Sequence, residues 1–302
     1  MLIPQSEFFW QQDGDPQQHL RRIEAMEQKL RVSGIRIPPG SRLDMYREGI
    51  RAMAAPKTAK RYPSPRATLH TLTEIRELAL ILRELPRDPE VQGWRDKVAA
   101  ILGGNVFSSA DRTDSSSRDT QFELYLAAAF RTAGFEVALE EPDVTFPMEG
   151  HTIGIAAKRL KSEKKLEQRI REASKQIAGS AYPGIIAIDI SYLWDLQKPV
   201  FATQIEAVHG LGIALADGFV YENVPRIVNG HWLTGDSTFG LLVCVNTRVT
   251  MLEKLKTISG SEETALKPIV GFRWTMATLC RHDHKLAALI PAVAERLAKV
   301  EI

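Results

Sequence analysis

The residues of this chain whose types and spacing could do chemistry lie in a short segment near its middle. Asp143 follows Pro142, and Lys158 comes later, directly after Ala156 and Ala157. A carboxylate is a ligand that hard cations such as Mg²⁺ prefer, because these cations bind oxygen. A lysine ammonium offsets the negative charge that develops on a phosphoryl oxygen. An aspartate and a lysine held together are therefore compatible with chemistry at a phosphate, although each residue alone is weak evidence for it.

The alternation of side chains along a strand predicts how these residues are brought together. Thr152–Lys158 predicts a strand with two different faces. One face holds Ile153, Ile155 and Ala157, and the other holds Gly154, Ala156 and Lys158. Val144–Phe146 predicts the preceding strand, and Glu149-Gly150 predicts the hairpin turn between the two. Such a hairpin would bring Asp143 close to Ala156 and Lys158.

This segment resembles the PD-(D/E)XK nuclease superfamily, which has the restriction-endonuclease-like fold. The motif of that family is Pro-Asp, a hairpin, and then an acidic residue, any residue and lysine. This chain has Pro142-Asp143 followed by Ala156-Ala157-Lys158. The family also places a glutamate on the helix before the sheet, which Glu123 matches, and some branches place a glutamine on the helix after the lysine strand, which Gln176 matches. The resemblance covers roughly residues 119 to 190.

The resemblance implies a metal-dependent DNA endonuclease that uses Mg²⁺ or Mn²⁺ to hydrolyse phosphodiesters. Asp143 and an acidic residue at position 156 would bind the metal, and Glu123 would assist a metal site. Lys158 would position the attacking water, with Gln176 as a further member of the catalytic group. The chain departs from the family at one point, because Ala156 has no side-chain ligand atoms. We therefore predict a nuclease in its native form and an inactive chain with Ala156.

Three explanations of Ala156 stay open. An acidic residue could have been replaced in order to inactivate the enzyme, or the chain could be a natural nuclease-like protein that binds without cutting. The third explanation is a migrated carboxylate, with Glu163 or Glu167 reaching the site from the next helix. The first is favoured by the intact flanking features, which include Pro142-Asp143, the alternating strand and Lys158.

Each site residue also has a purely structural interpretation. Glu123 ends a Thr120-x-x-Glu123 pattern, which is typical of a capping box at the start of a helix. Asp143 after a proline is typical of a turn, and Lys158 could be a solvated strand end. The order of the surrounding elements is what favours a site over these interpretations.

Basic residues are concentrated directly after the lysine strand. Residues 158–175 hold eight lysines and arginines against three glutamates. The functional interpretation is contact with nucleic-acid phosphates, which gives affinity without sequence preference. It is assigned to Arg159, Lys161, Lys164 and Lys165. The alternative is a solvated helix face with ion pairs such as Glu167 with Arg171 and Glu172 with Lys175.

The elements that must position these residues follow from apolar spacing. Helices are predicted over Asp15–Val32, Ser41–Ala54, Leu72–Leu85 and Pro89–Leu102, before a polar junction at Asn105–Thr120. Next come a helix at Phe122–Thr132, strands at Phe135–Leu139, Val144–Phe146 and Thr152–Lys158, a helix at Ser162–Ala178 and a strand at Gly184–Ile190. The last elements are a helix near Gln204–Ala216, strands near Phe239–Val245 and Pro268–Trp274, and a helix at His284–Ala298.

This order predicts an α/β fold, in which a restriction-endonuclease-like mixed sheet is flanked by helices and preceded by an all-helical N-terminal region. The predicted domains are a helical region over residues 1–108 and a nuclease-like domain with C-terminal additions over residues 109–302.

Composition limits the classes of protein further. The formal net charge is only +2, so any nucleic-acid surface must be a local patch. The two cysteines, Cys244 and Cys280, do not make a disulfide framework. The first residues lack a secretory signal, and no apolar run reaches the roughly 18 residues that a membrane span requires. We predict a cytoplasmic protein with no membrane partner.

The resemblance also suggests a role in bacterial anti-phage defence or restriction. Its partners would be DNA, or alternatively RNA, together with a second copy of the chain or a partner defence protein. A second hypothesis is a non-catalytic nucleic-acid-binding or scaffold subunit, which would keep the fold and the basic helix without turnover. A third is a helical interaction protein, which predicts no DNA binding. The helices of residues 15–102 are compatible with a docking surface and equally with core packing.

Overall fold

A computed structural model describes residues 3–10, 16–54, 65–84, 92–103, 116–193, 200–202, 205–228, 237–256, 262–281 and 284–298. The chain divides into two compact units. The helical unit consists of Asp15–Arg159 and Gln176–Gly184, and the sheet unit consists of Met1–Gly14, Leu160–Lys175 and Ile185–Ile302. The predicted domain boundary between residues 108 and 109 lies outside the described residues.

Amphipathic sequences form the helices of the helical unit. These are α1 (Pro16–Val32), α2 (Arg42–Ala54), α3 (Pro65–Glu84), α4 (Gln92–Leu102) and α5 (Ser116–Thr132). In α1, Pro16 occupies the first helical position. A backbone N–H at this position would make no hydrogen bond within the helix, so proline is tolerated there. Gly34 ends this helix with a φ of +71°, and the Ile35 N–H then donates to the Leu30 carbonyl at 2.8 Å. The predictions of α1 and α2 are confirmed.

Two helices begin earlier than predicted. α3 begins at Pro65 rather than near Leu72. Proline is common in connecting segments, but it is also favoured at the first position of a helix, as here. α5 begins at Ser116, inside the predicted polar junction, rather than at Phe122. Its first turns contain Arg118, whose fully buried side chain is stabilised by tertiary contacts.

A β-hairpin completes the part of the helical unit that bears on function. β2 (Val144–Met148) pairs antiparallel with β3 (His151–Arg159). Glu149 and Gly150 connect them with φ values of +49° and +78°. Two-residue hairpin turns need positive φ values, because their backbone twist then matches that of the two strands. Both strands and the turn are confirmed. The predicted strand at Phe135–Leu139 is wrong, because only Ala138 is paired there, through a two-bond bridge to Thr145.

α5 packs on the hairpin through an apolar core. The rings of Phe130 and Phe146 have centroids 4.9 Å apart, and Phe135 lies 5.3 Å from the first and 5.0 Å from the second. Aromatic pairs at these separations contribute beyond the area that they bury. The aromatic cluster therefore holds the helix that carries Glu123 against the hairpin that Asp143 precedes and that carries Lys158.

The sheet unit has a mixed sheet. Its strands are β1 (Ile3–Trp10), β4 (Gly184–Asp189), β5 (Val200–Ala202), β6 (Thr238–Lys256) and β7 (Glu262–Cys280). The order is β1-β7-β6-β4, and β5 also pairs with β6. The sheet is mixed because β5 runs parallel to β6, whereas β7 runs antiparallel to both β6 and β1. The α/β class is thereby confirmed.

Helices α7 (Ile205–Ile227) and α8 (Leu289–Ala298) also belong to the sheet unit. α6 (Leu166–Gly179) follows a short 3-10 turn at Glu163–Lys165. Its predicted apolar face is confirmed by full burial, which is shared by Leu166, Ile170, Ala173 and Ile177. No helix among the described residues combines the length and the apolar character needed to cross a membrane.

The prediction of an all-helical N-terminal region is wrong at its start. Ile3–Trp10 forms β1 and pairs with β7. The long separation in sequence between the two strands explains the error, since a pairing partner found only far along the chain leaves no local signal. The later strands β6 and β7 lie where predicted and extend well beyond Phe239–Val245 and Pro268–Trp274. α7 likewise extends past Ala216, and α8 begins after His284.

Candidate active site

The hairpin brings Asp143 beside the end of β3, as its sequence predicts. Val144 lies opposite Ile155, and Thr145 lies opposite Gly154. Continuing this antiparallel register by one position puts Asp143 across from Ala156. The backbone confirms the proximity, because the Ala157 N–H donates to Asp143 Oδ2 at 2.7 Å.

A close approach of two chain segments fixes the position of Asp143. A Cβ atom at Gly154 would lie 2.6 Å from Pro142 Cδ, which is closer than real Cβ atoms come. The Gly154 N–H also donates to the Pro183 carbonyl at 2.8 Å. Only glycine leaves room for the Pro142 ring against β3. The residue before Asp143 is therefore packed directly on the strand that carries Lys158.

Lys158 and Gln176 complete a hydrogen-bonded group around Asp143. Lys158 Nζ lies 3.5 Å from Asp143 Oδ2 and donates to Gln176 Oε1 at 2.6 Å. Gln176 Nε2 donates to Asp143 Oδ1 at 2.8 Å and to the Pro142 carbonyl. Gln176 is thus oriented as a bridge, with its amide oxygen toward the lysine and its amide nitrogen toward the carboxylate.

Asp143 is mostly shielded from water, with 11% of its side chain exposed. Burial raises the pKa of this carboxyl above its usual value, while the ammonium of Lys158, the Ala157 N–H and Gln176 act in the opposite direction. Because burial disfavours the ionised carboxylate, these three partners are what stabilise its charge. Asp143 is therefore a mostly buried carboxylate with defined partners rather than a solvated turn residue.

Glu123 lies on α5 and joins the same group electrostatically. Burial raises the pKa of Glu123, and the Asp143 carboxylate raises it further, whereas Lys97 and Lys158 lower it. Lys97 of α4 donates to Glu123 Oε2 at 2.5 Å. The capping-box interpretation of Glu123 is wrong, because α5 begins at Ser116 and Glu123 lies within the helix.

Lys97 is the site residue that the sequence did not reveal. It stands on an amphipathic helix with Arg95 as its only basic neighbour within α4, and a lysine on such a helix is normally a solvated side chain. Only the packing of α4 against α5 brings its ammonium to Glu123.

Ala156 is fully buried, and its side chain has no oxygen. In the described parts of the chain, no three His, Cys, Asp or Glu side chains form a group that could hold a metal ion. Both oxygens of Asp143 accept hydrogen bonds from N–H donors, and Glu123 is paired with Lys97. The residues present therefore do not fit a bound Mg²⁺ ion, because position 156 offers no side-chain oxygen and the carboxylates of Asp143 and Glu123 are already paired with N–H donors.

The migrated-carboxylate explanation is not supported. Glu163 Oε1 lies 3.7 Å from Arg226 Nη1, and Glu167 Oε1 lies 3.3 Å from Arg226 Nε. Arg226 also donates to the Glu163 carbonyl at 2.8 Å. Both glutamates are therefore held by an arginine of α7, and neither completes a cluster of metal ligands.

Three of the four predicted phosphate-binding residues are on the surface. Lys161, Lys164 and Lys165 are exposed. Arg159 does not fit this role, because only 4% of it is exposed and its guanidinium lies 5.6 Å from the centre of the Phe122 ring. The strand alternation explains the burial, since Arg159 points to the opposite face from Lys158.

The ion pairs predicted for α6 form with other partners. Glu172 pairs with Arg169 at 3.0 Å instead of with Lys175, and Glu167 faces Arg226 instead of Arg171. Lys175 and Arg171 are exposed. α6 therefore has one ion pair along its own surface, between Arg169 and Glu172, while Arg171 and Lys175 are left exposed.

Comparison of the chain with known proteins leaves the site to be interpreted from its own geometry. No family model matches the sequence, and neither a curated protein nor a solved structure matches it.

Proposed function

We propose that this protein is a metal-dependent DNA endonuclease of the PD-(D/E)XK type when an acidic residue stands at position 156, and that the chain with Ala156 binds DNA without cleaving it. The observation that carries the proposal is the group formed by Asp143, Lys158 and Gln176, directly across the hairpin from Ala156. A carboxylate, an ammonium and an amide that converge at one strand end have the chemistry expected for phosphodiester hydrolysis.

In this proposal the ligand that the site lacks is an acidic side chain at position 156. An acidic side chain at position 156 would lie opposite Asp143 and on the same face of β3 as Lys158. Together with Glu123 it would give three carboxylates, the kind of oxygen ligand set that divalent cations take. The restriction-endonuclease-like fold, the DNA substrate and a role in defence belong to this proposal and rest on the motif resemblance.

The test is to supply the missing carboxylate. Ala156→Glu is expected to nick or linearise plasmid DNA in the presence of Mg²⁺ or Mn²⁺, and EDTA should abolish the activity. The parent chain should cleave nothing under the same conditions. Agarose-gel assays of supercoiled and linear DNA, with single-stranded RNA as a second substrate, provide the measurement.

Controls separate a failed fold from a failed hypothesis. Because Ala156 is fully buried, a glutamate there adds volume to a packed site, and the shorter Ala156→Asp serves as a second variant. Circular dichroism and thermal unfolding establish that each variant is folded. Two folded acidic variants without metal-dependent cleavage of DNA or RNA would contradict the nuclease proposal.

A second candidate is a non-catalytic nucleic-acid-binding subunit, which the exposed lysines at positions 161, 164 and 165 favour. Lys164→Glu with Lys165→Glu is expected to weaken DNA binding by about tenfold or more at low salt, because each phosphate contact releases counterions when it forms. Fluorescence anisotropy at several salt concentrations gives both the affinity and the salt slope, and the slope should become shallower.

The matched control for this charge reversal is Arg36→Glu with Lys285→Glu, which makes the same change in net charge at two other exposed residues. Equal loss of binding in the two pairs would mean that net charge alone matters. Unchanged binding in both would rule out phosphate contact by Lys164 and Lys165.

A further inference from the structure

A row of cationic side chains follows the exposed side of α6 and of the 3-10 turn before it. The apolar side of α6 is fully buried. Lys164, Arg171 and Lys175 follow one another at intervals of seven and four residues, and residues at such intervals share one side of a helix. The basic stripe consists of four exposed residues, Lys164, Lys165, Arg171 and Lys175.

The glutamates of the same segment are held by other cations. Glu172 pairs with Arg169 at 3.0 Å. Glu163 and Glu167 lie nearer to the lysines of the turn, and both face Arg226 of α7. All of these residues belong to the sheet unit.

Arg226 contacts the turn in several ways at once. Its Nη1 lies 3.7 Å from Glu163 Oε1, its Nε lies 3.3 Å from Glu167 Oε1, and its Nη2 donates to the Glu163 carbonyl at 2.8 Å. Nη1 also donates at 3.0 Å to the amide oxygen of Asn223, which is 1% exposed. A buried residue therefore orients the guanidinium that holds both carboxylates and the backbone of the turn.

The two carboxylates would otherwise weaken the basic stripe. About half of each side chain is exposed, 53% for Glu163 and 47% for Glu167, and Glu163 directly precedes Lys164. A carboxylate within about 10 Å of a bound phosphate repels it at moderate salt. Because Arg226 offsets this charge, the stripe is complementary to a partner with negative charges repeated along a line, which is the chemistry of a nucleic-acid backbone.

We propose that the basic stripe binds the phosphates of one nucleic-acid strand, and that Arg226 is a positioning residue for this contact because it holds the two carboxylates that would repel the strand. The proposal rests on the DNA binding proposed above and extends it along α6 and to α7. Contacts of this kind give affinity without sequence preference.

Fluorescence anisotropy of the full chain with labelled duplex DNA at low salt tests the role of Arg226. Arg226→Met is expected to weaken binding by about threefold to tenfold, because two carboxylates near the phosphates lose their compensating charge. Replacing both carboxylates in the same background, as Arg226→Met/Glu163→Gln/Glu167→Gln, should restore the parent affinity to within about twofold. Such reversal is the signature of coupled residues.

The extent of the stripe is tested by Arg171→Gln with Lys175→Gln. Removal of two phosphate contacts should weaken binding by about threefold or more and make the dependence of affinity on salt shallower. An unchanged affinity would limit the contact to the turn and overturn the stripe.

Controls address folding and net charge. Exposed ion pairs contribute little to stability, so Arg226→Met should fold, as circular dichroism and thermal unfolding establish, and Arg226→Gln replaces it if it does not. Arg226→Met/Glu24→Gln/Glu48→Gln has the same net charge as the restoring variant but changes exposed glutamates of α1 and α2. It should not restore binding.

The outcomes distinguish this inference from the proposed function. A loss in Arg226→Met that the glutamine substitutions leave in place, or that the net-charge control restores equally, would overturn the positioning role. Unchanged binding in Arg226→Met and in Arg171→Gln/Lys175→Gln, with weakened binding in Lys164→Glu/Lys165→Glu, would overturn the inference and leave DNA binding standing. Unchanged binding in all three would overturn both. Weakened binding to phosphatidylserine vesicles with unchanged DNA binding would assign the stripe to a lipid surface and overturn the proposal.

Discussion

DNA cleavage by the Ala156→Glu variant is expected to fall by about a hundredfold to a thousandfold when Lys158 is also replaced by methionine, because a preorganised charge at a developing oxyanion has an effect of that size. Lys158 has 17% of its side chain exposed and is oriented by Gln176. In the proposed nuclease its ammonium is therefore already held beside Asp143 before a substrate binds. Methionine keeps much of the side-chain volume and removes the charge.

Initial rates of plasmid nicking at saturating Mn²⁺ provide the measurement, so that a change in metal affinity does not enter the comparison. Lys161→Met, made in the same Ala156→Glu background, is the matched control, because Lys161 is exposed just beyond the end of β3. It should reduce the rate by less than about threefold at saturating DNA, since a single phosphate contact contributes to binding rather than to the chemical step. Equal rates for the Lys158→Met and Lys161→Met variants would remove Lys158 from the catalytic group.

Replacement of Glu74 by leucine is expected to lower the free energy of unfolding by about 3–5 kcal/mol, the usual effect of removing one partner from a buried ionic group. Glu74 Oε1 accepts a hydrogen bond from Arg118 Nη1 at 2.7 Å, and Oε2 accepts one from the Tyr46 hydroxyl at 3.2 Å. Glu74 also pairs with Arg42. Both arginines are fully buried, so the leucine variant would leave two guanidinium groups without their shared carboxylate.

The same network holds α5 in place. Gln121 Nε2 donates to Glu77 Oε2 at 2.6 Å, and Gln121 Oε1 accepts from Arg42 at 2.6 Å. Burial raises the pKa of Tyr46, so that its hydroxyl stays protonated and remains a donor. Because α5 also carries Glu123, loss of this network should loosen the helix that positions Glu123.

Urea unfolding followed by fluorescence and by circular dichroism measures the loss, and coincident transitions establish that one free energy describes it. The matched control is Glu24→Leu, the same substitution at an exposed position of α1, which should change stability by less than about 0.5 kcal/mol. A loss below about 1 kcal/mol for Glu74→Leu would mean that the two arginines find other partners or water.

Local patterns were sufficient for the elements that carry the site. Period-two alternation in β3 and a turn at Glu149-Gly150 predicted the hairpin, and the hairpin by itself brings Asp143 to Lys158. The spacing of apolar residues in α6 likewise predicted which of its faces is buried. Gln176 of the same helix donates a hydrogen bond to Asp143. These features depend on neighbours in sequence, so the sequence contains their physical cause.

The same local patterns failed where distant segments decide the outcome. Thr120-x-x-Glu123 predicted a helix start that the fold does not use, because α5 begins at Ser116. Arg159 was predicted to meet phosphate and is buried beside Phe122. A charged residue predicts exposure on average, and only packing reveals an exception.

The sequence by itself determined the α/β class, the hairpin and the convergence of Asp143 with Lys158, because side-chain periodicity and turn chemistry act over a few residues. The tertiary structure alone decided that Lys97 meets Glu123 and that Arg42, Glu74 and Arg118 share one buried network. Such pairs join different helices, and any of many lysines, arginines and glutamates could have formed them. The choice among these partners depends on helix packing, which no local pattern specifies.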